Sequence, residues 1–497
     1  MAPVWPKKIL LITNVERGEL NVFLATAQSL LDADPTLDLH LATHADLQLP
    51  LPEGIHYHQI NGPPMLQAIE EYFSRKQGSG NLPKSFTKPL GFVNTRRAIR
   101  DTASTVMPYT GRQMTELFTS IVDIIQDVNP DLVVVDSKMS AGLTACYHVG
   151  ARFLCLGPNA ISEFAAPAQP LGASHWNIPA LFSGFTYPVP WHKKLLNAYY
   201  ARFADKAFKK DPQKQEVQSY LAAHTVLKTP ADLVQNRPEH VKILVGSLSQ
   251  LDFPLKVPSH IIPCGPIVRQ AEAVAESDPK LAEWLSEGRT LYVNMGSFVK
   301  MTEDEAAEIA QAIKIVIDYL DKELGKARLK VFWKLKKKGK YSVYEPSCKV
   351  SQFLHREFEW DRIRVVDWVK AEPISILNTG RIACSVHHGG AGSFNEAITT
   401  GTPQVILPVW ATGYDYAQRV ELLGVGRWGN RAAKPHWSAQ ELSSKLLEVL
   451  DGGNLNPMKK KAVILQQICE QSGNGADCAA LAILQECEKY VFSEWKE

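Results

Sequence analysis

The residues best suited to chemistry are concentrated at positions 383–410, in the segment ACSVHHGGAGSFNEAITTGTPQVILPVW. An apolar strand pattern ends in His387 and His388, a glycine-rich turn follows, and Ser393 stands at the predicted start of a helix. Backbone N–H groups at a helix start form an anion site, which glycines allow a ligand to approach closely. A diphosphate suits such a site, with His388 as a further hydrogen-bond donor. The alternative is a structural turn, because Ser393 and Glu396 also fit a helix-capping box.

Two acids in the first half of the chain are candidates for proton transfer. Glu19 lies in the loop after the first predicted strand, and Asp136 ends the apolar run DLVVVD. Doubly wound sheets place ligand-contacting residues at the carboxyl ends of their strands. A buried Glu19 beside a second carboxylate would have a raised pKa and could accept a proton as a general base. The alternative for Glu19 is a solvated acid in the first turn of a helix.

Two series of alternating strands and helices must position these residues. Uninterrupted apolar strands that alternate with helical patterns predict parallel sheets of the doubly wound kind. The expected fold class is therefore α/β, with two Rossmann-like domains facing each other across a cleft. We predict an N-terminal domain at 1–262, a linker at 263–285, a C-terminal domain at 286–457, and helices at 458–497 that pack back towards the N-terminal domain. The predicted strands are 9–13, 37–43, 131–136, 151–156, 257–268, 290–298, 329–335, 363–369, 382–388 and 403–410.

Composition excludes several classes of protein. Hydrophobic residues make up 45% and charged residues 21% of the 497-residue chain, as in ordinary globular proteins. The net charge of +2 argues against a nucleic-acid partner. No apolar run is long enough to span a bilayer, and the N-terminal MAPVWPKKILLITN lacks a signal-peptide cleavage site. Eight cysteines without a CxxC pair favour a reduced, cytoplasmic protein.

No metal site is predicted from the sequence. The DAD triplet at 32–34 follows a helical pattern and precedes a proline, which favours a turn. Cys384 with His387 and His388 lacks a fourth ligand. The basic run KLKKKGK at 334–340 is expected to be a solvated segment.

The second half of the chain resembles the family 1 UDP-sugar glycosyltransferases, and its HHGG form is similar to the fungal members. The signature residues that match in order are Trp368, His388, Gly390, Ser393, Glu396, Gly401, Pro403 and Pro408. The resemblance implies the GT-B arrangement of two Rossmann-like domains. It also implies an inverting, metal-independent transfer of a sugar from a UDP-sugar, without any other cofactor. The acceptor would be a hydroxyl of a lipophilic small molecule such as a phenolic, polyketide, terpenoid or sterol.

The resemblance also assigns donor contacts to individual residues. Trp368 would stack on the uracil, with the backbone of Val369 at its edge, and Glu396 would accept hydrogen bonds from the ribose. A core tryptophan is the alternative for Trp368, and a helix N-cap or turn serine is the alternative for Ser297. The phosphate contacts implied are Ser297, His388, Gly390, Gly392 and Ser393.

Two departures from the family pattern affect the sugar site and the base. An Asp/Glu-Gln pair that usually holds sugar hydroxyls is replaced by Thr412 and Gly413, and Asp415 is the candidate substitute. The usual base histidine is replaced by Glu19, since no histidine occurs between residues 1 and 39. In relatives the acid equivalent to Asp136 orients that histidine.

An irregular stretch at 158–200 is typical of a functional loop region, and its aromatic part at 176–191, together with Phe86 and Phe92, suits an apolar acceptor. These rings could instead pack beneath a long loop, and contact of the loop with a membrane surface is left open. Two rival functions remain: a non-catalytic nucleotide-sugar-binding protein, and a dinucleotide-dependent oxidoreductase, for which a full G-x-G-x-x-G is missing. The predicted acceptor-binding residues are Phe86, Phe92, Trp176, Phe182, Phe185 and Trp191.

Overall fold

The computed structural model describes residues 7–45, 47, 51–78, 83–324 and 329–494, which form two parallel β-sheets with helices on both faces. Residues 1–6, on which the prediction about a signal sequence partly depends, lie outside this part. The strands of the first sheet are β1 (Lys8–Ile12), β2 (Asp38–His44), β3 (Ile55–Ile60), β4 (Leu132–Asp136), β5 (Phe153–Gly157), β6 (Ile243–Val245) and β7 (Ile261–Pro263). Their spatial order is β3-β2-β1-β4-β5-β6-β7, and each neighbouring pair is parallel.

The second sheet is also entirely parallel. Its strands are β8 (Thr290–Asn294), β9 (Lys330–Lys334), β10 (Ile363–Val366), β11 (Ile382–His387), β12 (Gln404–Ile406) and β13 (Gly426–Trp428). The order is β10-β9-β8-β11-β12-β13. Buried strands of this kind need cover on both faces, so the helices that follow are required by the sheet itself.

Helices of the first half cover the first sheet and fill the connections between its strands. They are α1 (Arg17–Ala33), α2 (Met65–Gln77), α3 (Phe92–Val106), α4 (Gly111–Val128), α5 (Ser140–Val149), α6 (Ser162–Ala165), α7 (Ala173–Asn177), α8 (Lys194–Lys209), α9 (Pro212–Leu221) and α10 (Pro230–Gln235). Short 3-10 turns occur at Ala166–Ala168, Pro170–Gly172, Trp191–Lys193 and Ser249–Leu251.

Helices of the second half cover the second sheet, and the last one returns to the first. They are α11 (Val274–Ser277), α12 (Pro279–Ser286), α13 (Glu303–Leu324), α14 (Lys349–Glu359), α15 (Pro373–Asn378), α16 (Ala391–Thr399), α17 (Ala411–Leu423), α18 (Ala439–Leu450), α19 (Pro457–Gln471) and α20 (Gly475–Glu494), with a 3-10 turn at Gly453–Leu455. The terminal α20 packs along α1, and its Ala476 and Ile483 lie in the same hydrophobic cluster as Phe23.

The two halves share buried contacts as well as a cleft. Arg419 of α17 donates from Nε to Asp252 at 2.9 Å and from Nη2 to Ser162 Oγ at 2.6 Å, and the Arg419 and Asp252 side chains are buried. Removing either partner would leave a buried charge uncompensated, which typically costs about 3–5 kcal/mol. This pair therefore ties the halves together beside the cleft.

The predicted α/β class with two Rossmann-like sheets is confirmed, and the long apolar runs form strands near their predicted positions. The sequence prediction missed β3, β6 and β13. The β3 segment IHYHQI is an edge strand whose side chains are mostly exposed or half-buried, so it lacks the apolar run that marks a central strand. Strands β6 and β13 span only three residues each, too few to show a period.

Candidate active site

Each sheet has one switch point, which is the pair of neighbouring strands where the chain stops adding strands towards one edge of the sheet and begins to add them towards the other. In the first sheet this point lies between β1 and β4, and in the second it lies between β8 and β11. Crevices outside the carboxyl ends of strands at such points are the usual ligand sites of open α/β sheets. Glu19 and Asp136 lie at the first point, and Ser297 and His388 lie at the second.

The start of α16 has the features of an anion site. Its N-cap is Gly390, and the first helical hydrogen bond runs from Phe394 N to Gly390 O at 3.0 Å. The N–H groups of residues 391–393 therefore need partners from outside the helix. A Cβ built on Gly392 would meet open space, so no described residue crowds the first turn of the helix on that side.

The capping-box alternative at this helix is wrong. The helix begins at Ala391, so Ser393 is its third residue and not its N-cap. The helix-cap alternative for Ser297 is wrong too, because α13 begins only at Glu303 and is capped by Thr302, whose Oγ1 accepts from Glu305 N at 3.3 Å. Ser297 instead lies in the turn after β8, and its carbonyl accepts from Lys336 Nζ at 3.0 Å.

The His388 ring is held between the two glycine turns of the second switch point. A Cβ on Gly296 would lie 2.5 Å from its Cε1, and one on Gly390 would lie 2.7 Å from its Nε2. The Nδ1 atom is buried and has no hydrogen-bond partner among the described residues. Burial lowers the pKa of His388 to about 3, with the neighbouring charges of His387 and Lys334 acting in the same direction. A neutral imidazole here can donate one hydrogen bond to a phosphate.

His387 has a structural role. Its Nδ1 accepts from Gly389 N at 3.1 Å, which requires the proton to be on Nε2, and Nε2 lies 2.9 Å from Gln404 Oε1. Burial lowers its pKa to about 4. The pair of histidines therefore divides into one that fixes the turn and one that faces the cleft.

Trp368 is not a core residue, since 46% of its surface is exposed. Three cations surround its ring: Lys334 Nζ at 4.3 Å, Arg17 Cζ at 5.0 Å and Lys336 Nζ at 5.4 Å from the centroid. The core alternative for this tryptophan is thus wrong, whereas Val369 beside it is half-buried.

The expectation that 334–340 is a solvated run is wrong for its first residues. Lys334 is the last residue of β9 and is buried, and Lys336 bonds the turn after β8. Burial, Lys336 and Arg17 lower the pKa of Lys334 to about 8. Lys334 stands at the carboxyl end of a strand that neighbours the switch point, and this position, unlike the composition of the basic run, indicates a role in the site.

Glu396 lies in the second turn of α16 and is half-buried. Burial and the charge of Glu372 raise its pKa to about 8. Glu372 itself accepts from Arg269 Nη2 at 3.0 Å and Arg17 Nη1 at 3.4 Å. Arg17 belongs to α1, so it connects the first half to the tryptophan side of the second, and no local sequence pattern indicates this bridge.

Packing explains why position 413 is glycine. A Cβ there would lie 2.7 Å from the His388 carbonyl oxygen, and a Cβ on Gly389 would lie 2.8 Å from the Gly413 Cα. The start of α17 therefore packs glycine against glycine on the turn that carries His388. Thr412 is half-buried beside it. Burial, Glu163 and Asp252 raise the pKa of Asp415 to about 7 against the opposing effect of Arg419.

The first switch point is acidic. Asp136 is fully buried; its Oδ1 accepts from Lys138 N at 2.8 Å and its Oδ2 lies 3.5 Å from Thr13 Oγ1. Burial raises its pKa. Glu19 is half-buried, and burial together with the charges of Asp136 and Glu16 raises its pKa to about 8, while Lys138 opposes them. Glu19 is therefore not an ordinary solvated acid of a helix start.

The predicted acceptor residues do not form one group. Phe86 and Phe182 lie 4.9 Å apart and are buried in a cluster that joins the two halves, and their contact with an acceptor stays a prediction. Trp191 is 84% exposed and Phe92 is 50% exposed, so these two rings are not enclosed as the first pair is, and their contact with an acceptor also stays a prediction. Trp176 and Phe185 are half-buried and remain candidates.

Within the described ranges, the structure contains no group of three or more His, Cys, Asp or Glu side chains arranged to hold a metal ion. Among the same residues no helix is both long and apolar enough to cross a membrane.

Comparison with known proteins gives a consistent result over the whole chain. Residues 359–463 match the erythromycin biosynthesis protein CIII-like C-terminal domain. The glycosyltransferase sdnJ of Sordaria araneosa is 28% identical over 94% of this chain and 95% of its own length.

Solved structures agree with the fold. Medicago truncatula UGT71G1 complexed with UDP-glucose superposes with a TM-score of 0.64 at 15% identity and covers 98% of this chain and 99% of its own. Os79 from O. sativa in complex with U2F and trichothecene gives a TM-score of 0.63 at 16% identity, with 97% and 100% covered. At these identities the likeness establishes the two-sheet arrangement.

Proposed function

The chain belongs to the family 1 UDP-glycosyltransferases, and on that premise we propose that it transfers a sugar from a UDP-sugar to a hydroxyl of a lipophilic small molecule. The single observation that carries this proposal is the second switch point. There the start of α16, a His388 Nδ1 without a hydrogen-bond partner in the described part of the chain, and a buried Lys334 meet beside an exposed tryptophan.

The second half is proposed to bind the nucleotide. Uracil stacks on Trp368 with its edge at the backbone of Val369, and the ribose hydroxyls donate to Glu396. The diphosphate accepts hydrogen bonds from the helix start and His388, and Lys334 neutralises part of its charge. An exposed tryptophan ring with cations around it favours a ligand in which an aromatic base is linked to a negatively charged group.

Glu19 is proposed as the general base. The acceptor O–H attacks the anomeric carbon from the face opposite UDP, its proton passes to the Glu19 carboxylate, and the bond from carbon to the phosphate oxygen breaks. Because the pKa of Glu19 is raised to about 8, its carboxylate binds a proton more strongly than an ordinary glutamate does. Asp136 is fully buried with its oxygens on protein donors, so its role is to maintain that raised pKa.

The departing UDP is proposed to be stabilised without a metal. The N-terminus of α16, His388 and Lys334 supply positive potential where charge develops on the leaving diphosphate. Inversion at the anomeric carbon follows from a single displacement. The acceptor enters near the half-buried rings of Trp176 and Phe185, and the trichothecene in the structure of Os79 is a precedent for a lipophilic acceptor.

The test is a matrix of UDP-sugars against phenolic and terpenoid acceptors, with UDP release and product formation measured together. We expect acceptor-dependent UDP release that EDTA does not abolish, and a product whose anomeric configuration by NMR is opposite to that of the donor. UDP binding without turnover across the matrix would favour the nucleotide-sugar-binding alternative. Loss of turnover in EDTA with recovery in manganese or magnesium would contradict metal independence.

A further inference from the structure

An exposed apolar patch lies on the surface of the first half, outside the proposed donor site. Its members are large hydrophobic side chains that remain open to solvent, with Trp191 84% and Leu195 79% exposed. We define the aromatic patch as Phe92, Val93, Trp191, Leu195 and Tyr199. Large exposed apolar side chains that lie near one another are typical of surfaces that bind a protein or a membrane.

The patch is built on one stripe of α8. Leu195, Tyr199, Arg202, Lys206 and Lys209 follow one another at intervals of three or four residues, so they lie along the same face of the helix. The first part of this stripe is apolar and the second part is basic. The opposite face is anchored in the protein, since Asn197 and Tyr200 are buried.

Helix α3 completes the patch from the side. The ring of Phe92 stacks on Tyr199 with centroids 5.6 Å apart, and Tyr199 stacks on Phe203 at 6.2 Å. Arg96 lies 5.5 Å from the Phe92 ring and 4.8 Å from the Phe203 ring. The exposed rings are thus held in fixed positions and are bordered by guanidinium groups.

The charge around the patch is strongly positive although the chain is nearly neutral. Residues 92–106 and 191–210 contain nine Lys and Arg against two Asp, in a protein whose net charge is +2. One of these acids, Asp101, is already paired with Lys76 at 3.2 Å. The local excess of cations therefore faces solvent next to exposed aromatic rings.

We propose that the aromatic patch docks this protein on the surface of an anionic lipid bilayer. Trp and Tyr side chains prefer the interface between headgroups and acyl chains, and neighbouring Lys and Arg are attracted to acidic headgroups. One partner thus satisfies both the apolar and the basic part of the stripe. Helix α8 lies in the plane of the interface in this arrangement, as amphipathic peripheral helices do.

The docked orientation has a consequence for the proposed acceptor route. Lys193 Nζ lies 5.0 Å from the ring of Phe185, one of the two half-buried aromatic candidates for acceptor contact. The bilayer surface would therefore lie beside the segment through which a lipophilic acceptor enters. Docking itself does not depend on the proposed function, because the patch shares no residue with the donor site.

The apolar part is tested by vesicle co-sedimentation of the full chain at low and physiological salt. Vesicles of phosphatidylcholine alone are compared with vesicles that also contain phosphatidylserine. We expect binding to the anionic vesicles, reduced at least about tenfold by Leu195→Glu. Leu455→Glu is the matched control, because Leu455 is 76% exposed on the second half. Its binding should equal that of the wild type, and thermal unfolding of both variants checks the fold.

The basic part is tested with a charge-reversal pair. Arg202→Glu with Lys206→Glu should weaken binding to anionic vesicles about tenfold or more, while Lys338→Glu with Lys340→Glu, in an exposed loop elsewhere, should not. No binding by the wild type, or equal binding by the Leu195→Glu and Leu455→Glu variants, would overturn the proposal. A dimer in light scattering that Leu195→Glu dissociates would also overturn it, since the patch would then join two copies of this chain.

Discussion

The two switch points of this molecule are built in the same way and charged in opposite ways. At the first, between β1 and β4, Glu19, Asp136 and Glu16 crowd together, and burial raises the pKa of each. At the second, between β8 and β11, a helix start and Lys334 provide positive potential, and burial lowers the pKa of Lys334 to about 8. Burial thus raises the pKa of the acids and lowers the pKa of the lysine.

The difference teaches how one kind of sheet edge can serve two steps of a transfer reaction. A carboxylate with a raised pKa can take a proton from an acceptor hydroxyl, and a cationic helix start can receive a diphosphate. In the proposed reaction the cleft between them would separate the two tasks. Variants of each switch point should therefore affect different measured quantities.

The largest effect is expected for Glu19→Gln at the acidic switch point. The amide keeps the size of the side chain but cannot accept the proton, so kcat should fall by about 10²–10⁴-fold while UDP affinity stays nearly constant. Wild-type activity should rise with pH as the Glu19 carboxylate forms near pH 8, and this acidic limb should disappear in the variant. Glu53→Gln, an exposed acid of the same half, is the control.

Glu19→His sharpens the assignment, since an imidazole can also act as a general base but has a different pKa. Partial recovery of turnover, with an acidic limb moved towards the histidine pKa of about 6.5, is expected if Asp136 orients the ring. Wild-type turnover in Glu19→Gln would instead make Asp136 the leading candidate for the base.

At the basic switch point, His388→Ala should reduce UDP affinity. It removes a hydrogen bond to a charged group, which is worth about 1.5–3 kcal/mol, or about 10- to 150-fold. Isothermal titration with UDP measures the loss, and circular dichroism checks that the turn is intact. If a folded variant binds UDP and turns over like the wild type, the phosphate site lies elsewhere.

A smaller and pH-dependent effect is expected for Lys334→Met. The ammonium is charged below its pKa of about 8 and neutral above it, so wild-type UDP affinity should fall as pH rises through 8. The variant should bind about tenfold more weakly at pH 7 and lose most of that pH dependence. Lys338→Met, an exposed lysine of the same basic run, should behave like the wild type. His388 stays neutral over this range, because its pKa is about 3.

The smallest effect is expected for Lys138→Met. Its ammonium lowers the pKa of Glu19, so removing it should raise that pKa and move the acidic limb of kcat/KM to higher pH. The plateau rate and UDP affinity should change little. A limb that stays in place would mean that another group sets it, and the contrast between the two switch points would need a different acid.

The sequence by itself determined the overall fold and the position of the proposed donor site. Continuous apolar runs such as LVVVD can be buried only in two-sided parallel sheets, so the α/β class followed from local pattern. The spacing from Trp368 to Pro408 is likewise local information, and the turn that carries His388 and the start of α16 lie close to where the pattern predicted them. The exact start of α16 did not follow, because Ser393 imitates a cap.

Tertiary structure decided what depends on residues far apart in the chain. The raised pKa of Glu19 needs burial and the charge of Asp136. The lowered pKa of Lys334 needs burial and the charges of Lys336 and of Arg17, which belongs to the other half. The aromatic residues show the same limit: Phe182 is buried and Trp191 is exposed although both belong to one irregular segment. Local sequence sets which groups are present, whereas burial and charge proximity are sums over long-range contacts, and those sums exist only once the chain has folded.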